Sequence, residues 1–209
     1  CLVSARIAPK LRSWSVRPSI TRRVCNWVHN CQQPASSRHR PAAISVSRSI
    51  QAPVAWDSAN GTGVTIAILD TGIDSTHPDL APNLVPGWNV YDNNSNTADV
   101  HGHGTWVAGV AAMAANNAKG SAGVAWGARI MPVRIADPNA YAYWSTVAQG
   151  IYWAADNGAK VVNISYNGVS GSSTVQSAAQ YLRGKGGVVV VAAGNSGGLE
   201  SIAANDSLL

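Results

Sequence analysis

From Val54 onward the apolar positions fall into a regular pattern. Val64, Thr65, Ile66, Ala67, Ile68 and Leu69 form a short β-branched apolar run bounded by Gly61 and Gly63 before it and Gly72 after it, which predicts a buried strand with Asp70 at its end. Residues 105–115 carry Val107, Val110, Ala111 and Ala114 at helical spacing, and residues 130–135 read as a strand. Over 145–157 a helix is expected, with Val147, Ile151, Ala154 and Ala155 on one face, Ser145 as N-cap and Gly158 at the C′ position. Residues 160–164 follow as a strand, 174–183 as a helix with Val175, Ala178, Ala179 and Leu182 on one stripe, and 188–192 as an apolar strand. Strand and helix alternate, and the strands are apolar throughout rather than at every second position. Burial on both faces follows, so the expected fold is α/β: a parallel, doubly wound sheet with helices on both faces. In such sheets chemistry gathers at the carboxyl ends of strands. Asp70, then Asn163 with Ser165, then Gly194 and Asn195 fall at that edge.

Composition and charge change this picture only at the amino end. The 209 residues are 46% hydrophobic, enough for one domain with a sizeable core, and no stretch approaches the roughly 20 apolar residues a membrane span needs. Residues 1–50 hold nine Lys and Arg and no Asp or Glu, whereas residues 51–209 hold six basic against ten acidic residues. The net charge of +5 therefore belongs to the leader and implies no nucleic-acid or membrane partner for the rest. Cys1, Cys25 and Cys31 also lie there, so a disulfide framework or Cys-based zinc site is excluded from 51–209. Two parts are expected, a basic leader over 1–49 and a globular part over 50–209. The leader is acid-free, Arg/Ser/Pro-rich, without an apolar period or an initiating Met. It is expected to be disordered, a processed targeting segment, or not native coding sequence; an arm stacking Trp14 and Trp27 on bases is the alternative.

The chemistry resides in three short runs. Asp70-Thr71-Gly72 after an apolar strand suits an aspartic peptidase, which would need a second such Asp, or an Asp that merely caps a turn. No second Asp-Thr-Gly occurs. In His101-Gly102-His103-Gly104-Thr105, a His at a helix start flanked by Gly can approach a cleft closely, and the helix dipole favours its neutral, basic form. Paired metal ligands are the competing reading, without a third ligand at a recurrent spacing. Asn195, leaving a strand among small residues, can donate to a developing oxyanion or simply make a turn.

Taken together, Asp70-Thr71-Gly72-Ile73-Asp74, His77-Pro78-Asp79-Leu80, Gly102-His103-Gly104-Thr105 with Val107-Ala108-Gly109, Val162-Asn163-Ile164-Ser165 and Ala193-Gly194-Asn195 resemble the subtilisin-like serine peptidases, the subtilases, from about Ile50 to the end of the chain. The resemblance implies a serine endopeptidase in which Asp70 orients the imidazole, His103 is general base and acid, and Asn195 is an oxyanion donor. It implies a polypeptide substrate added as a strand between the edges Ala140-Tyr141-Ala142 and Ser165-Tyr166-Asn167, with Trp144 near a distal pocket. Tyr141 and Tyr166 stand where the family commonly has small residues, which alters pocket size. Calcium is implied as a cofactor, with Asp79 and Asn117 as ligands, although Lys119 places a positive charge beside that loop. The family further implies export and action as a monomer.

The family's nucleophile sits in a Gly-Thr-Ser motif well beyond the oxyanion Asn, and Ser196, Ser201 and Ser207 lack that setting. The expectation is the N-terminal portion of a subtilase catalytic domain, ending before the nucleophile helix and inactive alone. The alternative is a non-catalytic peptide-binding module that uses the same edge strands.

Overall fold

The computed structural model describes residues 50–195 and Leu208. The expectations for the leader and for Ser196, Ser201 and Ser207 lie outside the described residues. Strands β1 (Thr65–Asp70), β2 (Trp88–Asn89), β3 (Arg129–Arg134), β4 (Val161–Ile164) and β5 (Val188–Val191) form one sheet in the order β2-β3-β1-β4-β5. Every neighbouring pair is parallel. The helices are α1 (Ala52–Trp56), α2 (His103–Ala112), α3 (Trp144–Asp156) and α4 (Ser173–Gly184).

Alternation along β1 divides the core into two layers. Ala67 and Leu69 join Met131 and Val133 of β3 and Val162 and Ile164 of β4 beneath α3 and α4, which contribute Val147, Ile151, Val175 and Leu182. Ile68 points the other way and joins Ile130, Ile73, Leu80 and the α2 residues Ala108 and Ala112. The sheet is thus buried on both faces, the expected doubly wound arrangement. Each fully buried Leu or Ile contributes on the order of 1.5–3 kcal/mol relative to its exposed state, and β1 supplies Ile68 and Leu69 at full burial. With β1 in the middle of the sheet, its carboxyl end is held on both sides by register with Arg134 of β3 and, one residue earlier, Ile164 of β4.

Three local expectations change. Helix α2 starts at His103 rather than 105 and stops at Ala112, because Met113 turns to extended backbone and the next amide, Ala114 N–H, bonds the Asp79 carbonyl at 2.8 Å. Helix α3 starts at Trp144, so its N-cap is Tyr143 and not Ser145; no side chain caps it, and Thr146 Oγ1 instead donates to the Tyr143 carbonyl at 2.8 Å. Ser172, by contrast, caps α4 by accepting from Val175 N–H. Strand β2 and helix α1 have no counterpart in the expected elements.

Candidate active site

Asp70 ends β1 with its side chain fully buried, and the Thr71 amide donates to its Oδ1 at 2.8 Å. The chain then turns at Gly72, whose φ of +108° and crowding suit only glycine: a Cβ there would stand 2.7 Å from the Thr97 carbonyl oxygen. Thirty residues on, α2 begins at His103 and brings its first turn back onto this strand end. Gly104 is what permits the approach. A Cβ on it would lie 3.1 Å from Asp70 Cβ and 3.2 Å from the Gly72 carbonyl carbon, and would overlap the Gly72 oxygen.

The result is that His103 Nδ1 stands 2.8 Å from Asp70 Oδ1 and 3.0 Å from Oδ2. A carboxylate only accepts, so Nδ1 carries the hydrogen in this pair and Nε2 is left as the acceptor of the neutral ring. The imidazole side chain keeps 32% exposure beside a carboxyl at 0%. The hydrogen bond that His103 donates to Asp70 raises the His103 pKa above its ordinary value against the opposing effect of burial, and the charges of Asp70 and Asp99 add to the rise. This geometry holds a base in one tautomer with its reactive nitrogen turned from its orienter.

The second histidine is placed differently. His101 is exposed, and only its backbone amide enters the site, donating to Asp99 Oδ1 at 3.0 Å. Asp74 is also exposed, with its carboxylate turned to Thr76. Those Thr76 bonds hold its carboxyl below the usual range.

Sequence reasoning overlooked Asp99. Its Oδ1 accepts from Thr71 Oγ1 at 2.7 Å and from the amides of His101 and Gly102 at 3.0 and 2.8 Å, while Oδ2 accepts from the Thr105 amide at 2.9 Å and from Thr105 Oγ1. Burial pushes the Asp99 pKa up, but the bonds from Thr105, Gly102, His101 and Thr71 outweigh it and hold the carboxyl below the usual range. An acidic residue shortly before a helix with Thr at its third position was the available signal.

The expected peptide edges lie at the same end of the sheet. After β3 the chain makes a tight loop in which Asp137 N–H donates to the Tyr141 carbonyl at 3.0 Å and Asp137 Oδ1 accepts from the amides of Asn139 and Tyr141, each at 2.9 Å. Ala136 and Ala142 pair antiparallel across it. Both peptide groups of Tyr141 are consumed inside the loop, so those of Ala142 face outward by strand alternation. Ala140 adopts φ +64°, where glycine is at ease, and the Tyr141 ring is 74% exposed. After β4, Ser165 Oγ accepts from Asn163 Nδ2 at 3.1 Å, Tyr166 is half-buried against the core, and Asn167 is exposed. Desolvation raises the Tyr166 pKa, reinforced by the charges of Asp70, Asp137 and Asp99, so its phenol stays protonated. A Cβ on Gly168 would sit 3.7 Å from the Trp144 ring, so the end of the second edge lies against the start of α3. Asn195 stands exposed, four residues past β5 and just after Gly194 at φ +81°.

The expected calcium ligands are bonded to each other. Asn117 Nδ2 donates to Asp79 Oδ1 at 2.8 Å, and Asn117 Oδ1 accepts from the Lys119 amide at 3.1 Å. A hard cation takes six to eight oxygens, and among the described residues no group of three or more His, Cys, Asp or Glu side chains is poised to hold a metal. Asp79 and Asn117, which the resemblance names as ligands, are thus brought together, and the two side chains supply only part of the six to eight oxygens that calcium takes.

Comparison with known proteins gives concordant matches. A model of the Subtilase family matches residues 61–208. Thermitase of Thermoactinomyces vulgaris is 51% identical over 148 residues, covering 71% of this chain and 53% of that protein. Among solved structures, a protease from Pseudoalteromonas arctica superposes with a TM-score of 0.61 at 34% identity, over 68% of this chain and 53% of that one. A cold-adapted subtilisin-like serine proteinase gives 0.59 at 33% identity, over 66% and 49%. The chain spans about half the length of these relatives. No helix among the described residues is long and apolar enough to cross a membrane.

Proposed function

The chain belongs to the subtilase family, and on that premise we propose that it supplies the base-bearing part of a serine endopeptidase. One observation carries the reading: His103 Nδ1 is 2.8 Å from a fully buried Asp70 while the ring remains partly open. A serine hydroxyl brought to Nε2 gives its proton to His103 as its oxygen attacks the peptide carbonyl, and Asp70 stabilises the imidazolium that results. His103 then returns the proton to the leaving amine. The Asn195 amide donates to the oxyanion. The substrate is an extended polypeptide paired along Ala140-Tyr141-Ala142 and Ser165-Tyr166-Asn167, a role supported by the outward peptide groups of Ala142 and the nearness of Trp144 to Gly168. No Gly-Thr-Ser run occurs in the 209 residues, so these residues hold two members of the triad and one oxyanion donor. Export, action as a monomer and a boundary near residue 50 belong to the same reading.

The test joins residues 50–195 to the portion of thermitase that follows the residue aligned with Asn195. The chimera should hydrolyse denatured casein and react with a fluorophosphonate. His103→Ala should lower kcat/KM by about 10⁴-fold, and Asp70→Asn by a similar factor through the wrong tautomer. His101→Ala and Asp74→Asn should each cost less than about 10-fold, because neither side chain meets the dyad. Equal losses at His101 and His103 would overturn the assignment of the base.

A further inference from the structure

We propose that Asp99 is a positioning residue for the His103–Asp70 pair, acting as a half-buried splint that fixes the start of α2 to the end of β1; the inference rests on the reading of that pair as catalytic. The two halves of the pair come from segments more than thirty residues apart, and their direct link is the hydrogen-bonded contact of His103 Nδ1 with the two carboxylate oxygens. Such a contact fixes a distance but not, by itself, the orientation of the first turn of α2. Asp99 removes that freedom. Its Oδ1 takes the hydroxyl of Thr71, the residue after Asp70, at 2.7 Å. Its Oδ2 takes the amide of Thr105, two residues into α2, at 2.9 Å.

Both threonines then act a second time. Thr71 Oγ1 accepts from the Gly104 amide at 3.0 Å, which ties the strand end to the helix directly. Thr105 Oγ1 donates to Asp99 and accepts from the Asp74 amide at 2.9 Å, which ties the helix to the segment leaving β1. Asp99 therefore closes a ring of bonds whose members flank Asp70 on one side and His103 on the other. Oδ1 takes three donors, the Thr71 hydroxyl and the amides of His101 and Gly102 just before α2, and Oδ2 takes two from Thr105. Its carboxylate also lies at the N-terminus of α2, where it meets unpaired amides and the positive end of the dipole.

The consequence is chemical as well as mechanical. A ring of fixed geometry keeps Nδ1–H on Asp70 and Nε2 toward the cleft without reorganisation, and misplacement by about 1 Å costs on the order of 10²-fold in rate. The side chains whose charges act on the His103 ring are Asp70 on β1 and Asp99 before α2.

The 209-residue chain itself is the sample. Its His103 Nδ1 proton, held by Asp70, is read as a downfield proton resonance, with its exchange against water and the titration of the ring followed by NMR. Asp99→Asn keeps one accepting oxygen and replaces the other by a nitrogen that cannot accept from Thr105 or Thr71, so exchange of the Nδ1 proton should quicken about 10-fold or more and the ring pKa should fall. Thr71→Val should act in the same direction, and Thr71→Ser, which restores the hydroxyl, should return both readings to those of the unsubstituted chain. A role confined to fold stability predicts a lower urea midpoint with Nδ1 exchange unchanged in both Asp99→Asn and Thr71→Val and the ring pKa unchanged in Thr71→Val, the fall in Asp99→Asn then being the lost charge alone, and that result overturns the proposal. Should Asp99→Asn fail to fold, the Thr71→Val and Thr71→Ser pair decides. A missing Nδ1 resonance in the unsubstituted chain rejects the reading of the pair itself; its presence with no response to Asp99 or Thr71 rejects only the splint.

Discussion

Replacing Gly104 by Ala puts two physical effects against each other with opposite signs. Helix propensity alone makes Ala the better residue inside α2 by about 1 kcal/mol. Close packing says the reverse. The new Cβ would stand 3.1 Å from Asp70 Cβ and 3.2 Å from the Gly72 carbonyl carbon, and carbon atoms settle at about 3.5–4.0 Å. With the Gly72 oxygen overlapped as well, the first turn of α2 must withdraw by about 1 Å. His103 Nδ1 then moves from 2.8 Å to roughly 3.8 Å from Asp70, outside hydrogen-bond range. A bond to a charged group contributes about 1.5–3 kcal/mol and overpacking costs a further 1–3 kcal/mol, so after the propensity gain the net loss is about 2–5 kcal/mol. Urea unfolding of the chain followed by tryptophan fluorescence measures it. Two controls separate crowding from backbone preference. Gly102→Ala has its nearest neighbour at 4.0 Å but a φ of +96°, and should cost only the left-handed strain of about 1–2 kcal/mol. Gly184→Ala, with open space around it at the end of α4, should be neutral or stabilising by up to about 1 kcal/mol. A Gly104→Ala chain as stable as the unsubstituted one, with the His103 Nδ1 proton intact, would refute the packing argument.

In the thermitase chimera, Asn195→Leu should lower kcat about 10²–10³-fold with KM little changed, since the amide acts on the oxyanion and not on the bound carbonyl; a change confined to KM would move Asn195 into substrate binding. Stability should also carry the signature of His103. Its folded pKa is raised, so its contribution is complete below about pH 6.5 and is lost as pH rises through the raised value. Asp74 and Asp99 have lowered values, so theirs is present above about pH 4 and is lost as pH falls through the depressed values. Urea midpoints from pH 3 to 9 test both limbs, and an alkaline decline that persists unchanged in His103→Gln would contradict the assignment.

What the chain displays in its order and what it conceals follow from how local each cause is. Strand β1 is visible because its four central residues, Ile66 to Leu69, are apolar for their own burial, with Ile68 and Leu69 serving opposite layers of the core. Strand β2 is invisible because Trp88 and Asn89 become a strand only by register with Val133 and Arg134, more than forty residues away. The first residue of α3 was misjudged for a related reason. Ser145 has the right chemistry for a cap, but Thr146 Oγ1 donates both to the Tyr143 carbonyl and to the Ile135 carbonyl at 3.1 Å, so a contact with the end of β3 helps fix where the helix begins.

The dyad was legible for a different reason from the fold. Asp70 and His103 each sit near glycines that record close approach: Gly72 to the Ala98 backbone, and Gly104, in the first turn of α2, to Asp70. A sequence can therefore announce that two backbones meet without saying which side chain keeps them in place. Asp99 lies in a run of Asn, Thr and Asp residues that reads as ordinary turn chemistry, and its partner Thr71 is 28 positions earlier. Asp79 and Asn117, singled out by resemblance alone, also meet across 38 positions, with the Asn117 amide on the Asp79 carboxylate. Proximity can be inferred from residue type and motif. The direction of each hydrogen bond cannot, and at this site direction separates a splint from a turn.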